Sequence, residues 1–381
     1  MHGELKPAVR KFIIALFIFA YAGLNYYLGW RGWEAFGSYI FQWQAYYWGM
    51  LGTLAFAYFF GHFLNRYSPG RVSDVLLWTG AYWMGFFFYA LLTVVLIDIL
   101  RFMDNFFGFL PAAIKNSPTL VAVIILIFLA VLMLYGTYNS RRPVLRKYRI
   151  TIPAPSKLKN LKAVLVSDVH LGNIIGRGRL EGLVKKINKR QPDIVFFAGD
   201  IIDGDIRPFE EQKMGLLLSK IKSRYGAFAV MGNHEYLGGQ YKELIKALEK
   251  SDIKVLRDEQ FLLKNSLYII GRDDKYSRNR KSLADLMAEL ETQLPVIVLD
   301  HNPADIEEAA QNHVDLQLSG HTHTGQMWPL NYITARIFAT DWGYLKKGSL
   351  QVIVSNGYAT WGPPIRIGNR PELVEIIIRF R

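Results

Sequence analysis

The stretch "LSGHTHTGQ" places His321 and His323 one residue apart behind an apolar run. On an extended segment residues i and i+2 point the same way, so both imidazoles would face one point. Imidazole is the commonest metal ligand among side chains, and it is also an ordinary polar loop residue. The pair alone leaves both readings open. The same kind of signal recurs upstream. Apolar runs rich in β-branched residues end in polar ones at "LKAVLVSDVHLG", "DIVFFAGD", "GAFAVMGNHE" and "LPVIVLDHNP". Those polar ends are Asp168 and His170, Asp200, Asn233 and His234, and His301. With His321 and His323 they take five of the chain's eight histidines. Carboxylate, amide and imidazole donors of this kind suit Mn²⁺, Fe or Zn²⁺ rather than soft-metal chemistry.

The elements that must position these residues are legible too. The apolar runs alternate with helix-like stretches at 179–190 and 241–250, the pattern of an α/β domain. Each polar cluster closes a strand, and open α/β sheets place their sites at the carboxyl ends of strands.

In order and spacing, "SDVHLG", "GDIIDGD", "GNHEY", "DHNP" and "GHTHTGQ" resemble the signature blocks of calcineurin-like metallophosphoesterases. The branch most similar is the YkuE/YaeI-type phosphodiesterases, which "SNGYATWGPPIRIGNRPELVEI" near the C-terminus also resembles. The likeness covers residues 161–381. It implies a four-layer αββα sandwich holding two divalent cations, Mn²⁺ foremost with Fe or Zn²⁺ as alternatives. It implies that Asp168, His170 and His323 hold the first metal. Asn233, His301 and His321 would hold the second, and Asp200 would bridge both. Two cations about 3.5–4 Å apart generate a bridging hydroxide and neutralise phosphoryl oxygens during in-line attack. His234 would give a proton to the leaving oxygen or stabilise the phosphoryl charge, with Asp203 orienting it. Two departures stand out. Thr324 occupies a position where the branch carries Gly. Gly204 stands where protein Ser/Thr phosphatases carry Arg, which removes a phosphate clamp and favours diesters.

The first 150 residues are of another kind. They carry 13 Lys+Arg against 5 Asp+Glu. Four apolar runs, at 12–30, 43–64, 72–100 and 119–138, are each long enough to cross a hydrocarbon core of ~30 Å. The bulky end of the first argues against a cleaved signal peptide. Lys6, Arg10 and Lys11 precede it, "RYSPGR" joins the second and third, and "SRRPVLRKYR" follows the fourth. The positive-inside rule then puts both termini in the cytoplasm. Asp98, the one acid deep in a run, reads as an interfacial acid near Arg101, with an ion path as the alternative. The expected division is a four-span α-helical bundle over 1–140, a basic juxtamembrane linker over 141–160, and the catalytic domain over 161–381.

The absence of Cys excludes disulfides and thiolate-ligated zinc. The formal charge of +13 would suit nucleic acid, but the basic membrane flanks account for much of it, so no nucleic-acid partner is expected. The expected partners are the bilayer and a phosphoester substrate, a lipid among the candidates. Segment 327–347 combines Trp328, Tyr332, Ile337, Phe338, Trp342 and Tyr344 with Lys346 and Lys347. It reads either as core packing or as a lid touching lipid. Two other functions fit the residues: a non-catalytic membrane sensor of metal or nucleotide, and a phosphodiesterase acting on soluble nucleotides.

Overall fold

The structure is a computed structural model that describes residues 7–288, 290 and 293–381. Lys6 and the side chain of Arg10, both counted in the basic flank, lie outside the described residues. The chain divides into two compact units: Met1–Tyr135 with Gly362–Pro364, and Gly136–Trp361 with Ile365–Arg381.

The first unit is built on α1 (Pro7–Ile40), α2 (Gln44–Tyr67), α3 (Arg71–Phe107) and all but the last five residues of α4 (Pro118–Ser140), which belong to the second unit. Among the described residues three stretches are long and apolar enough to cross a membrane: Lys11–Tyr67, Arg71–Phe107 and Pro118–Ser140. The first of these joins two of the four expected runs. Only a single 3₁₀ turn, Phe41–Trp43, separates α1 from α2, because neither Gly nor Pro interrupts the chain there. The helices are apolar around most of their circumference, and a helix is suited to lipid because it satisfies its own backbone. α2 and α3 meet through small residues. A Cβ on Gly80 would overlap the Tyr58 backbone, and one on Gly61 would lie 2.7 Å from Leu77 N, so the glycines permit the close approach.

Asp98 is not paired with Arg101 as its spacing suggested. Arg31 reaches it from α1, donating from Nε (2.8 Å) and Nη2 (2.6 Å), and the Tyr27 hydroxyl also donates to it. The partner is 67 residues away in the chain, which no local spacing rule can see.

Among its described residues the second unit holds twelve strands: β1 (Val144–Ile152), β2 (Asn160–Val166), β3 (Ile194–Ala198), β4 (Ala227–Val230), β5 (Ile253–Val255), β6 (Glu259–Leu263), β7 (Leu267–Gly271), β8 (Val296–Leu299), β9 (Leu316–Ser319), β10 (Gly343–Lys347), β11 (Leu350–Val354) and β12 (Glu372–Phe380). They form two mixed six-stranded sheets, ordered β1-β12-β2-β3-β4-β5 and β10-β11-β9-β8-β7-β6. β1 lies inside the segment expected as linker. It pairs in parallel with β12 over nine residues, Val144 opposite Glu372 through Ile152 opposite Phe380.

Alternation explains the layers. Leu161, Ala163 and Leu165 of β2, with Ile194, Phe196 and Ala198 of β3, face the core between the sheets, shared with Ile297, Leu299, Leu316 and Leu318. Val164, Val166, Val195 and Phe197 point the other way, onto α5 (Arg177–Arg190) through Leu180, Leu183 and Ile187. The outer face of the second sheet is covered by helices at Leu283–Met287 and Ile306–Gln311. Strands buried on both faces read as continuous apolar runs, which is why the run ends were so visible in the sequence.

Candidate metal centre

Loops at the ends of β2, β3, β8 and β9, with the start of α6 (Asn233–Gly238), carry the candidate donors. Asp168, His170, Asp200, His321 and His323 all have φ between 48° and 75°. Non-glycine residues seldom adopt this left-handed region, and such strain clusters at functional sites. The "HTH" segment is therefore not extended, as expected above, but tightly turned, with His323–Gly325 forming a 3₁₀ turn. Turning sends the two imidazoles to different neighbours. Gly199, at φ +81°, makes room for a third: a Cβ there would lie 2.5 Å from His301 Nδ1.

Among the described residues two groups of donors face each other, beside a third that joins His170 to Asp203 and His234. His323 Nε2 lies 3.3 Å from Asp168 Oδ1 and 3.0 Å from His170 Nε2. His301 Nε2 lies 3.2 Å from both Asp200 Oδ2 and Asn233 Oδ1, and His321 completes a group with Asp200 and His301. Asp200 Oδ2 faces both groups, being also 3.8 Å from His170 Nε2.

These residues fit a cation on chemical grounds. His301 Nδ1 donates to the Ala198 carbonyl at 2.7 Å. In the neutral ring that leaves a bare lone pair on Nε2. Three acceptors then converge, Nε2, a carboxylate oxygen and an amide oxygen, an arrangement that a bound cation reconciles and that, without one, a proton on Nε2 reconciles, as the raised His301 pKa requires. The fields agree. Burial opposes ionisation of Asp168 and Asp200, yet His323 and His301 hold them well below the usual carboxylate range. Burial opposes the charged form of His301 too, but Asp200 drives its pKa well above the ordinary value. Burial, with His301, lowers His321 to about 4. Burial lowers His323 to about 3, although Asp168 works the other way. Both rings are thus neutral, the form a metal binds. At His323 the fit needs one more step. Arg366 Nη2 lies 2.9 Å from Nδ1, and a guanidinium only donates, so the proton of the neutral ring sits on Nε2; ligation through Nε2 would require that proton to move to Nδ1 and the Arg366 contact there to be given up.

Beside the donors, His234 Nδ1 lies 3.0 Å from Asp203 Oδ1, and the His234 ring is 4.6 Å from that of His170. Burial works against the imidazolium, but Asp203 and Asp200 outweigh it and push His234 up to about 9. Gly204 has φ +91°, and a Cβ there would lie 3.6 Å from the Gly238 Cα. An arginine there would be strained, in keeping with the departure noted above. Thr324 has φ 48° and ψ 42°, an uncommon conformation for a β-branched residue and an easy one for glycine. Its Oγ1 is buried without a partner.

Several residues that shape the site carried no readable signal. Glu235, fully buried, accepts from the backbone N–H groups of Asp200 (3.1 Å), Ile201 (2.6 Å), Ile202 (3.0 Å) and Gly232 (2.7 Å). Its one local hint is an acid at the third position of a helix, where carboxylates reach back to the N-cap. Arg366, also fully buried, donates to the His323 carbonyl at 3.0 Å and to the Asn356 and Ala359 carbonyls. Asn139, in the last turn of α4, donates to the carbonyls of Arg366 (3.0 Å) and Asn369 (2.7 Å). Asn369 in turn donates to the Thr324 carbonyl at 3.1 Å. An arginine in an apolar stretch, as in "PPIRIGN", was the available clue.

The rim is apolar. Trp361 is half exposed with its ring 6.2 Å from that of His234. The segment after the metal loop folds into a helix, Asn331–Ile337, and Phe338 beyond it lies 6.1 Å ring to ring from His321. Tyr332, Ile333 and Ile337 of this helix are all more than half exposed. Trp342 is anchored instead, donating to Glu372 at 3.0 Å beneath Arg146. The segment thus packs at one end and presents apolar side chains at the other. On the opposite wall Asp273 accepts from Tyr236 and from Arg257 (2.9 Å). Asp274, held above the usual range by burial, accepts from the Tyr276 N–H at 2.9 Å.

Two mixed sheets carrying convergent acceptors at their strand ends are the framework of a metal-dependent phosphoesterase. Comparison with known proteins agrees. The model of the calcineurin-like phosphoesterase family matches residues 161–325. An uncharacterized metallophosphoesterase of Aquifex aeolicus is 34% identical over 264 residues, 66% of this chain and 98% of that protein. A transmembrane protein with metallophosphoesterase domain from Danio rerio is 30% identical over 287 residues, 70% of this chain and 64% of that protein. The chain thus spans less than two thirds of the zebrafish relative's length. A dimetal phosphatase structure from Danio rerio aligns at 16% identity and TM-score 0.35, over 53% of this chain and 88% of that one, too distant to bear on function. On the Aquifex match the chain belongs to the calcineurin-like metallophosphoesterase family.

Proposed function

We propose that this protein is a multi-pass membrane phosphoesterase that hydrolyses a phosphodiester or pyrophosphate bond in a lipid or lipid-linked substrate. α1 to α4 would each cross the bilayer, and the Lys/Arg bias supports a cytoplasmic catalytic unit. Asp168, His170 and His323 would hold one cation, Asn233, His301 and His321 a second, and Asp200 both. Bound there, two divalent ions, Mn²⁺ foremost, would supply Lewis acidity that offsets phosphoryl charge and activates water. The chain's own groups do the rest. His234 delivers a proton to the leaving oxygen, and Asp203 fixes the ring by its contact at Nδ1. Glu235 orders the backbone that carries Asp200. Gly204 leaves no clamp for a monoester dianion, which favours diesters.

The observation that carries the lipid reading is the helix Asn331–Ile337 beside the metal loop. Its exposed Tyr332, Ile333 and Ile337, with Arg336, form an apolar and basic surface of the kind that enters a headgroup layer. The test uses purified protein in Mn²⁺ with a phospholipid diester in vesicles and with bis-nitrophenyl phosphate. Replacing Tyr332, Ile333 and Ile337 together by Ser should raise KM for the lipid about tenfold or more, since each apolar side chain buried is worth ~1.5–3 kcal/mol. Turnover of the soluble diester should hold. A parallel loss on both substrates would refute the lipid reading. Orientation is tested separately: a cytoplasm-dependent fluorescent reporter fused after Arg381 should be bright, and a dark one reverses the topology.

A further inference from the structure

The membrane-like unit contains a cavity that the phosphoesterase reading does not use. It has a volume of about 370 Å³ and lies among α1, α2, α3 and α4, within the range of roughly 300–1,000 Å³ typical of small-molecule sites. From α3 it is lined by Phe86, Ala90, Val94, Ile97 and Arg101. Steps of three and four residues keep these on one helical face. At 1.5 Å per residue they extend for roughly 22 Å, so the cavity is long and narrow. Leu51 and Ile125 close it from α2 and α4.

One end is charged, and its charges are unevenly matched. Arg31 is engaged by Asp98 (2.6 Å) and Glu34 (2.6 Å). Arg101 also lines the cavity, and among the described residues it has no ion pair or hydrogen bond. It sits six residues before the end of α3, next to the exposed Phe102 and one turn before the exposed Phe106. A basic residue near the end of an apolar helix lies at headgroup level. A guanidinium there offers a forked donor set that matches phosphate.

We propose that this cavity binds one membrane phospholipid, with an acyl chain lying along α3 and the phosphate on Arg101. The slot is too narrow for a helix of a second copy, which needs about 10–12 Å. Its walls are apolar over most of their length, and each methylene buried there contributes ~0.8 kcal/mol. None of the metal-donor residues takes part, so the proposal stands or falls apart from the phosphoesterase reading.

The test is native mass spectrometry on the full-length protein, delipidated in detergent and then exposed to phosphatidylglycerol or to diacylglycerol with the same chains. The expected result is one phosphatidylglycerol retained per chain and diacylglycerol retained at least tenfold less. Arg101→Ala should cut phospholipid retention about tenfold, Arg101→Lys should restore part of it, and Ala90→Phe, which fills the slot, should abolish it. Leu96→Ala, on the exposed side of α3, is the control and should retain lipid as the native chain does. Equal retention by Arg101→Ala, or equal retention of diacylglycerol, overturns the phosphate assignment. Retention by a folded Ala90→Phe overturns the cavity assignment. A dimer that excludes lipid shows that a second copy fills the face and also overturns the proposal. Should Ala90→Phe fail to fold, the Arg101 variants still decide.

Discussion

Replacing Glu235 by Gln changes one oxygen for one NH₂ and little else in shape. The consequence can be worked from the four contacts. Oε2 accepts from the Asp200 and Gly232 amides, and Oε1 from those of Ile201 and Ile202. Whichever way a glutamine amide is turned, its NH₂ faces two N–H donors. Two hydrogen bonds to a charged acceptor are lost, at roughly 1.5–3 kcal/mol each. Relief of repulsion with Asp200 offsets part of this, so the lower end, about 3 kcal/mol, is expected. At ~1.4 kcal/mol per decade that is about a hundredfold. Burial and the Asp200 charge push Glu235 up to about 7. The comparison therefore belongs at pH 8, where the native group is ionised. Hydrogen–deuterium exchange at 200–202 and 232 should be about a hundredfold faster in Glu235→Gln, with reduced bound metal because Asp200 loses its support. Protection within tenfold of native, together with full metal content, would refute the argument that this carboxylate positions the metal loop.

Asp200→Asn should lower metal content in both groups of donors, since Oδ2 alone faces both; elemental analysis showing full occupancy with normal turnover would end the shared-ligand scheme. His234→Ala should keep its metals while kcat for a poor leaving group falls by ~10²–10⁴, and a nitrophenyl ester should suffer less; equal losses would leave only charge stabilisation. Thr324→Gly should raise the melting temperature by a few degrees, because strain of about 1–3 kcal/mol is relieved against a glycine entropy cost near 1 kcal/mol. A lower melting temperature would mean that the buried Oγ1 makes a contact worth more than the strain.

What could be read in the sequence followed from one regularity. Each donor closes an apolar strand, so Asp168, Asp200, Asn233 and His301 were marked by the hydrophobic run before them. What could not be read depended on partners far along the chain or on loop conformation. Arg31 and Asp98 are 67 residues apart. Arg366 meets His323 across 43 residues. The positive φ values at His321 and His323 come from packing of the loop, so the rule for extended chain gave the wrong direction for the pair. β1 was hidden because five of the nine residues from Arg141 to Arg149 are basic. As an edge strand it needs few apolar side chains, and charge on an edge is ordinary.

The end of α4 has a consequence for how this chain can be taken apart. Only residues 141–143 separate Ser140 from β1, and Asn139 is tied by its amide to the backbone beside Arg366, which grips His323. A soluble fragment cut at residue 161, where the family motifs begin, would strip β1 from β12 and leave a nine-residue ladder of unpaired backbone as an invitation to aggregate. It would also remove the amide that steadies the segment behind the candidate donor His323. An anchor exchanged for another up to Ser140 would have to bring its own counterpart of Asn139.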